Sequence, residues 1–176
     1  METKYYQVIV IGGGHAGCEA SYAAAQMGLS TLLVTTSIHH IALMPCNPAI
    51  GGPGKGHVVR EIDALGGLMG RVTDRCTIHL KKVNTGKGPA VQTLRAQTQR
   101  DRYSLIMRGF LEAAPNLKFF QGEVVEILLD REGKVKGVTT KQGTTFLAPA
   151  VVVCTGTFLN GVIHIGELHF PAGRHG

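Results

Sequence analysis

The chain lacks the patterns of several protein classes. No apolar run approaches the ~20 residues that cross a bilayer, and residues 1–7 carry no basic segment leading into a long apolar one, so neither a membrane span nor a secretory signal is expected and the location is read as cytoplasmic. Cys18, Cys46, Cys76 and Cys154 are widely spaced, with no C-x-x-C. That excludes a thioredoxin-like pair and the common zinc spacings, and it favours free thiols over disulfides. His39 and His40 are adjacent, and His164 and His169 lie in a glycine-rich stretch without a carboxylate at ligand spacing, so no metal site is expected. Aromatic residues make up only 6% of the chain, and Tyr103 is the one near the most basic stretch, which leaves few platforms for stacking bases. Acids are missing too: none occurs between Glu19 and Glu61.

What is present suits one domain with a proper core: 176 residues, 44% hydrophobic and 17% charged. The formal net charge is +6. Nearly all of that excess lies between Lys81 and Arg102, where Lys81, Lys82, Lys87, Arg95, Arg100 and Arg102 face the single acid Asp101. Such a stretch is either a solvated face or a surface for phosphates, of a cofactor or of a nucleic acid.

The run Val8-Ile9-Val10-Ile11 is continuously apolar, as a parallel strand buried on both faces must be. It ends in Gly12-Gly13-Gly14-His15-Ala16-Gly17 and passes into an alanine-rich segment, 16–27, that reads as a helix. Gly12, Gly14 and Gly17 match G-x-G-x-x-G. In that pattern the first glycine permits the turn, the second admits a pyrophosphate to the backbone, and the third lets helix and strand pack closely. The helix N-terminus then offers free N–H groups and a partial positive charge to the phosphates. The alternative is a purely structural glycine turn. An NAD site of this kind usually has an acid after the second strand to hold the ribose. Here the second strand, 31–35, ends in Thr35-Thr36-Ser37, so a hydroxyl would have to serve; the missing carboxylate weakens the NAD reading, and the later part of the chain favours FAD.

Residues 36–116 are too many for a simple crossover and are read as an insertion with its own structure. Helices are expected over 57–65, stopping at Gly66-Gly67, and over 96–114, stopping at Pro115, with a short strand over 77–83. After a strand at 117–121, three short β segments between 123 and 148 form an antiparallel meander. A buried strand over 150–154 then runs into Thr155-Gly156, and this order of parts resembles the FAD domain of the two-dinucleotide-binding flavoproteins, where such a turn closes over the cofactor. The fold class is therefore α/β: a Rossmann-like FAD-binding domain with a parallel sheet, an antiparallel β-meander and a helical insertion. The tail, 158–176, reads as loop, and the domain is expected to be incomplete at the C-terminus.

Residues 44–56, Met-Pro-Cys-Asn-Pro-Ala-Ile-Gly-Gly-Pro-Gly-Lys-Gly, invite comparison with a P-loop. The match fails: Ala49 stands for the first glycine, Gly56 for Ser or Thr, and no strand is expected to lead in. The better reading is a glycine-rich loop near a flavin ring with Cys46 exposed on it, where backbone N–H groups and Lys55 would lower the thiol pKa and make a nucleophile. The competing reading is one more small buried thiol, which is also the reading for Cys18, Cys76 and Cys154.

Several blocks together carry a family resemblance: Gly12 to Gly17, Cys46-Asn47-Pro48-Ala49-Ile50-Gly51-Gly52, Gly54-Lys55-Gly56-His57, Glu61-Ile62-Asp63-Ala64-Leu65-Gly66-Gly67, Lys87-Gly88-Pro89-Ala90-Val91, Arg95-Ala96-Gln97 and Thr155-Gly156-Thr157-Phe158-Leu159. They span essentially the whole chain, which resembles the GidA/MnmG family of tRNA-modifying flavoproteins. The resemblance implies an FAD enzyme that places a carboxymethylaminomethyl or aminomethyl group on carbon five of the wobble uridine. It further implies NADH and methylene-tetrahydrofolate as co-substrates, glycine or ammonia as nitrogen donor, and a homodimer in a heterotetramer with a GTPase. FAD contacts carry over onto Gly12, Gly13, Gly14, His15, Ala16 and Gly17, onto Val124, and onto Thr155 and Gly156. Cys46 matches a family cysteine implicated in the reaction, and Lys55, Lys87, Arg95, Arg100 and Arg102 are candidates for tRNA contact. Family members continue well past Gly176, so the chain is expected to be a fragment that binds FAD poorly and is inactive alone. Two other readings stay open. One is a succinate or fumarate type flavoprotein, whose S-x-x-A-x-G-G loop is echoed at Cys46. The other is a truncated, non-catalytic dinucleotide- or RNA-binding module.

Overall fold

The computed structural model describes residues 4–175, so Gly176 of the tail lies outside it. Strand β1 (Lys4–Tyr5) is followed by β2 (Val8–Ile11), helix α1 (His15–Gln26) and β3 (Thr31–Thr35). Strands β7 (Leu117–Gln121) and β11 (Ala150–Val153) complete a parallel sheet of order β11-β2-β3-β7. The register aligns Val10 with Val152 on one side and with Leu33 on the other, and Leu33 in turn with Phe119.

Because successive strand residues point to opposite faces, this sheet has two cores. Val10 and Leu33 face the helical layer, where they meet Cys18 and Ala25 of α1 and Tyr103, Met107 and Leu111 of α4 (Arg100–Glu112). Ile9, Leu32 and Val34 face the other way, onto Val138, Phe146 and Ala148 of the meander. That second layer is a four-stranded sheet of order β1-β10-β9-β8, made of β8 (Val124–Leu129), β9 (Val135–Thr140), β10 (Thr145–Leu147) and the N-terminal β1, which pairs in parallel with β10. The continuous Val8 to Ile11 run is apolar for this reason: both of its faces are covered.

The insertion is richer than its helices. It holds β4 (Ala49–Gly51), α2 (Lys55–Ala64), α3 (Met69–Cys76), β5 (Thr77–Val83) and β6 (Thr93–Thr98), with the three strands in an antiparallel sheet of order β4-β6-β5. The helix expected from residue 96 starts at Arg100, because Ala96 and Gln97 are held between Ile50 and Ala49 of β4 and Leu80 and His79 of β5. Helix α3 was not anticipated. Its N-terminus is capped from a distance: the Glu19 carboxylate on α1 accepts from the Leu68 amide at 3.0 Å and the Met69 amide at 2.6 Å, placing a negative charge where the helix dipole favours one. The tail also departs from the expected loop. Strands β12 (Val162–Ile165) and β13 (Leu168–Pro171) form a hairpin about Gly166-Glu167, with Gly166 at φ +60° supplying the conformation a two-residue turn needs. Among the described residues no helix is long and apolar enough to cross a membrane, and no three His, Cys, Asp or Glu side chains gather as a metal set.

Candidate functional site

The glycine turn is built from close contacts that only glycine satisfies. A Cβ on Gly12, at φ +107°, would lie 2.3 Å from the Cys154 carbonyl oxygen, and one on Gly17 would lie 1.7 Å from the Gly12 oxygen. The turn is thereby clamped against the end of β11, and Thr155-Gly156, with Gly156 at φ +56°, sits beside it. Gly14 is different. It is exposed, its φ is an ordinary −72°, and a Cβ there would meet no atom within 4 Å. No side chain caps α1 at Gly14, so the first N–H groups of the helix open onto free space, as an anion site at a helix N-terminus requires. The His15 Nδ1 is buried without a partner. An open approach at Gly14, an uncapped helix and an unpaired ring nitrogen all fit the diphosphate of a dinucleotide.

The ribose end fits less simply. Thr35 is buried under Gly13 and its hydroxyl donates to the Ser37 carbonyl at 3.4 Å, which leaves Thr36 and Ser37 as the more accessible hydroxyls. The Gly122 amide donates to the Thr35 carbonyl at 2.9 Å. Val124 therefore starts its strand beside the carboxyl end of β3, the edge where ligands lie in open parallel sheets.

His15 packs edge-on against Tyr103, with ring centroids 5.5 Å apart. Burial, helped by the nearby Lys55 ammonium, holds the imidazole below its ordinary pKa of 6.5. The unfolded chain then takes up this proton more readily than the folded one. The stabilisation is whole above pH 6.5 and is lost as the pH falls from there towards the folded value. His15→Gln is expected to flatten this acid limb, as read by urea unfolding at pH 5 and pH 7.

The loop after β3 brings Cys46 to the surface in a turn, and three contacts fix it. The Arg100 guanidinium donates to the Cys46 carbonyl at 2.7 Å, the Thr98 amide to Pro48 at 2.7 Å, and the Gly52 amide to Leu94 at 2.9 Å. Gly51 and Gly56 are forced by β6, since a Cβ on Gly51 would lie 2.2 Å from the Leu94 oxygen and one on Gly56 would lie 2.1 Å from the Thr93 hydroxyl. The short strand β4 starts at Ala49, inside the motif, so no strand leads into it, and the resemblance to a P-loop fails there as well as at Ala49 and Gly56.

Two clefts flank the loop and share Cys46, Asn47, Ala49, Gly51 and Lys55. The first, of about 460 Å³, is mainly apolar and runs from His15 past Met44, Val58 and Ile62 to Met69. It joins the glycine turn to the exposed thiol. The second, of about 560 Å³, has the larger polar share and adds Asn84 and Arg95. Of the basic candidates, Lys55 and Arg95 meet here. Arg100 is occupied at the Cys46 backbone. Arg102 is exposed on α4 on the side of Cys76, and Lys87 is exposed in the 84–91 loop, so neither lines a cleft. The sequence reading missed Thr93 and Asn84, whose parts depend on the pairing of β5 with β6, which local periodicity does not show.

All four cysteines are free, and only Cys46 is exposed. Burial pushes the Cys18 thiol up to about 12 and raises those of Cys76 and Cys154. Iodoacetamide at pH 8 is expected to alkylate Cys46 first and Cys18 last, as peptide mass mapping over time will show; early labelling of Cys18 would contradict the packing.

A parallel sheet with its glycine turn, a covering meander and an uncapped first helix define a Rossmann-like α/β domain of the FAD-binding type. The model of the family glucose inhibited division protein A matches residues 7–176, and the chain belongs to that family. It is similar to the tRNA uridine 5-carboxymethylaminomethyl modification enzymes MnmG of Chlamydia caviae, 53% identical over 97% of this chain and 28% of that protein, and of Heliobacterium modesticaldum, 54% identical over 97% and 27%. Among solved structures, GidA of Aquifex aeolicus superposes with a TM-score of 0.92 at 51% identity, covering 97% of this chain and 28% of its own. The chain thus spans little more than a quarter of the length of these relatives.

Proposed function

We propose that the chain forms the dinucleotide-binding part of a flavoenzyme that modifies the wobble uridine of tRNA at carbon five, adding a carboxymethylaminomethyl or aminomethyl group. The observation that carries this reading is the apolar cleft, which joins His15 of the glycine turn to Cys46. FAD would lie with its diphosphate on the amides of Gly13 to Gly17, its ribose near Thr36 and Ser37, its adenine side towards Val124, and Thr155-Gly156 closing over it. When bound, it supplies hydride transfer, with NADH as the reductant and methylene-tetrahydrofolate as the carbon donor.

The residues of this chain do the rest. The Cys46 thiolate adds to carbon six of the uracil, which turns carbon five into an enolate carbon able to attack the one-carbon donor, and the thiolate leaves when the proton on carbon five is lost. Lys55, in the same cleft, provides positive charge beside both the thiolate and the developing enolate oxygen. Met44 and Met69, which line the same cleft, would shield the ring from water. Glycine or ammonia as nitrogen donor, tRNA as substrate, a homodimer, and a heterotetramer with a GTPase belong to the same proposal, as does a cytoplasmic location.

The test is a chimera in which these 176 residues replace the corresponding segment of Aquifex aeolicus GidA, assayed on undermodified tRNA. Flavin-dependent modification is expected in the chimera, with weak FAD binding and no turnover by the chain alone. A chimera that holds FAD but reduces fumarate and leaves tRNA untouched would overturn the reading in favour of a dicarboxylate flavoprotein.

A further inference from the structure

The cleft that holds Arg95 shares the loop from Cys46 to Lys55 with the apolar one and is the more polar of the two. Arg95 is half-buried on its floor and Lys55 stands on its wall, and none of the residues lining it is acidic. On the adjoining strand Lys81 lies directly opposite Arg95, so both side chains leave the same face of the sheet. Like charges in that position destabilise a strand pair. The described residues offer no relief: the salt bridges found are Arg108 with Glu112, Lys134 with Glu132 and Lys141 with Glu123. The surrounding backbone is held in place nonetheless. Asn84 adopts φ +61°, unusual for a residue with a side chain, and its amide donates to the Val91 carbonyl at 3.1 Å. Gln92 donates to the Lys87 carbonyl at 2.8 Å. A concave site lined by two cations, Arg95 and Lys55, with Lys81 across the strand pair from Arg95, a volume of about 560 Å³ and polar Asn47 and Asn84 in its lining has the size and donor set of a small-molecule site.

We propose that this cleft binds the anionic group, carboxylate or phosphate, of a small co-substrate, with Arg95 and Lys55 as its counter-charges. Cys46 lies at the boundary of both clefts, so a molecule held by its anion here presents its uncharged end to the thiol. That it is a co-substrate rests on the flavoenzyme reading; that the cleft takes an anion does not. Arg95 is a specificity determinant in this scheme, because its guanidinium presents the paired N–H groups that match a carboxylate or phosphate.

The experiment is a titration of the 15N-labelled chain with inorganic phosphate and, separately, with glycine, at constant ionic strength with chloride as the control. Saturable shifts are expected at the amides of Gly51, Gly52, Asn84 and Arg95. Arg95→Gln is expected to weaken them at least tenfold, Arg95→Lys by less, and Lys118→Gln, on β7, not at all. Saturation by phosphate alone identifies a phosphate-bearing ligand, and saturation by glycine a carboxylate. Shifts that match the chloride control, or that persist in a folded Arg95→Gln chain, overturn the proposal. So does Arg95-dependent binding of a single-stranded oligoribonucleotide when neither small anion saturates, which would make the face an RNA surface. FAD binding, followed by flavin fluorescence in the Aquifex aeolicus chimera, separates the two readings: anion binding absent with FAD retained by the chimera sinks this inference alone, and the reverse sinks only the flavin assignment.

Discussion

Gly14→Ala is expected to leave the chain folded and to weaken FAD binding at least tenfold, whereas Gly17→Ala is expected to prevent folding. The two positions are three residues apart in one turn, and their surroundings are opposite. At Gly17 an added methyl would overlap the Gly12 carbonyl, backbone against backbone, with no flexible side chain to move aside. Overpacking a well-packed site costs about 1–3 kcal/mol and occasionally more, and here the strand-to-helix corner of the central sheet would have to open. At Gly14 the methyl enters empty space at an unstrained φ, so the change in stability should stay within about 0.5 kcal/mol. That space is where a diphosphate approaches, and a methyl group pushing it away from the helix amides gives up short charge-assisted hydrogen bonds. Urea unfolding of the chain and fluorescence titration of the Aquifex aeolicus chimera with FAD measure the two effects. Equal FAD affinity in Gly14→Ala and the parent would remove the diphosphate from this turn.

Cys46→Ala in the Aquifex aeolicus chimera is expected to abolish tRNA modification while FAD binding is retained. Removing a covalent nucleophile costs on the order of 10⁴ to 10⁶ in rate, and no other thiol of this chain can replace it, since Cys18 and Cys76 are buried and Cys154 is half-buried after β11. The loop itself should survive, because its ties run through the Cys46 carbonyl and through Pro48 and Gly52, not through the sulfur. Residual modification above one-hundredth of the parent rate would assign the attack on carbon six to a different group.

The sequence was most legible where one local rule decides the outcome. The Val8 to Ile11 run, the glycine turn, the alanine-rich helix and the meander each follow from the period of apolar residues or from glycine at a turn, and each stands within a residue or two of its expected bounds. It was least legible in the insertion. Ala96-Gln97 has good helix propensity, yet it forms the middle of β6 because two other strands present their edges to it. Helix α3 is only eight residues long and depends on the carboxylate of Glu19, far back in the chain. The tail hid its hairpin because glycines on either side of a short alternating run read as loop. Of the candidate site, Cys46 and the glycines could be read directly. The sorting of the basic residues could not, since Arg95 and Lys55 share a cleft only once β4, β5 and β6 are paired.

Strand β11 stands at the margin of the parallel sheet, with β2 on one side and, among the described residues, no paired strand on the other, and Val152 and Val153 are 39% and 50% exposed. A straight apolar margin with unsatisfied N–H and C=O groups is a template on which further strands can add. The positive charge of the chain keeps copies apart through repulsion that salt screens. Higher ionic strength is therefore expected to promote association through this margin, which size-exclusion chromatography at low and high salt will show.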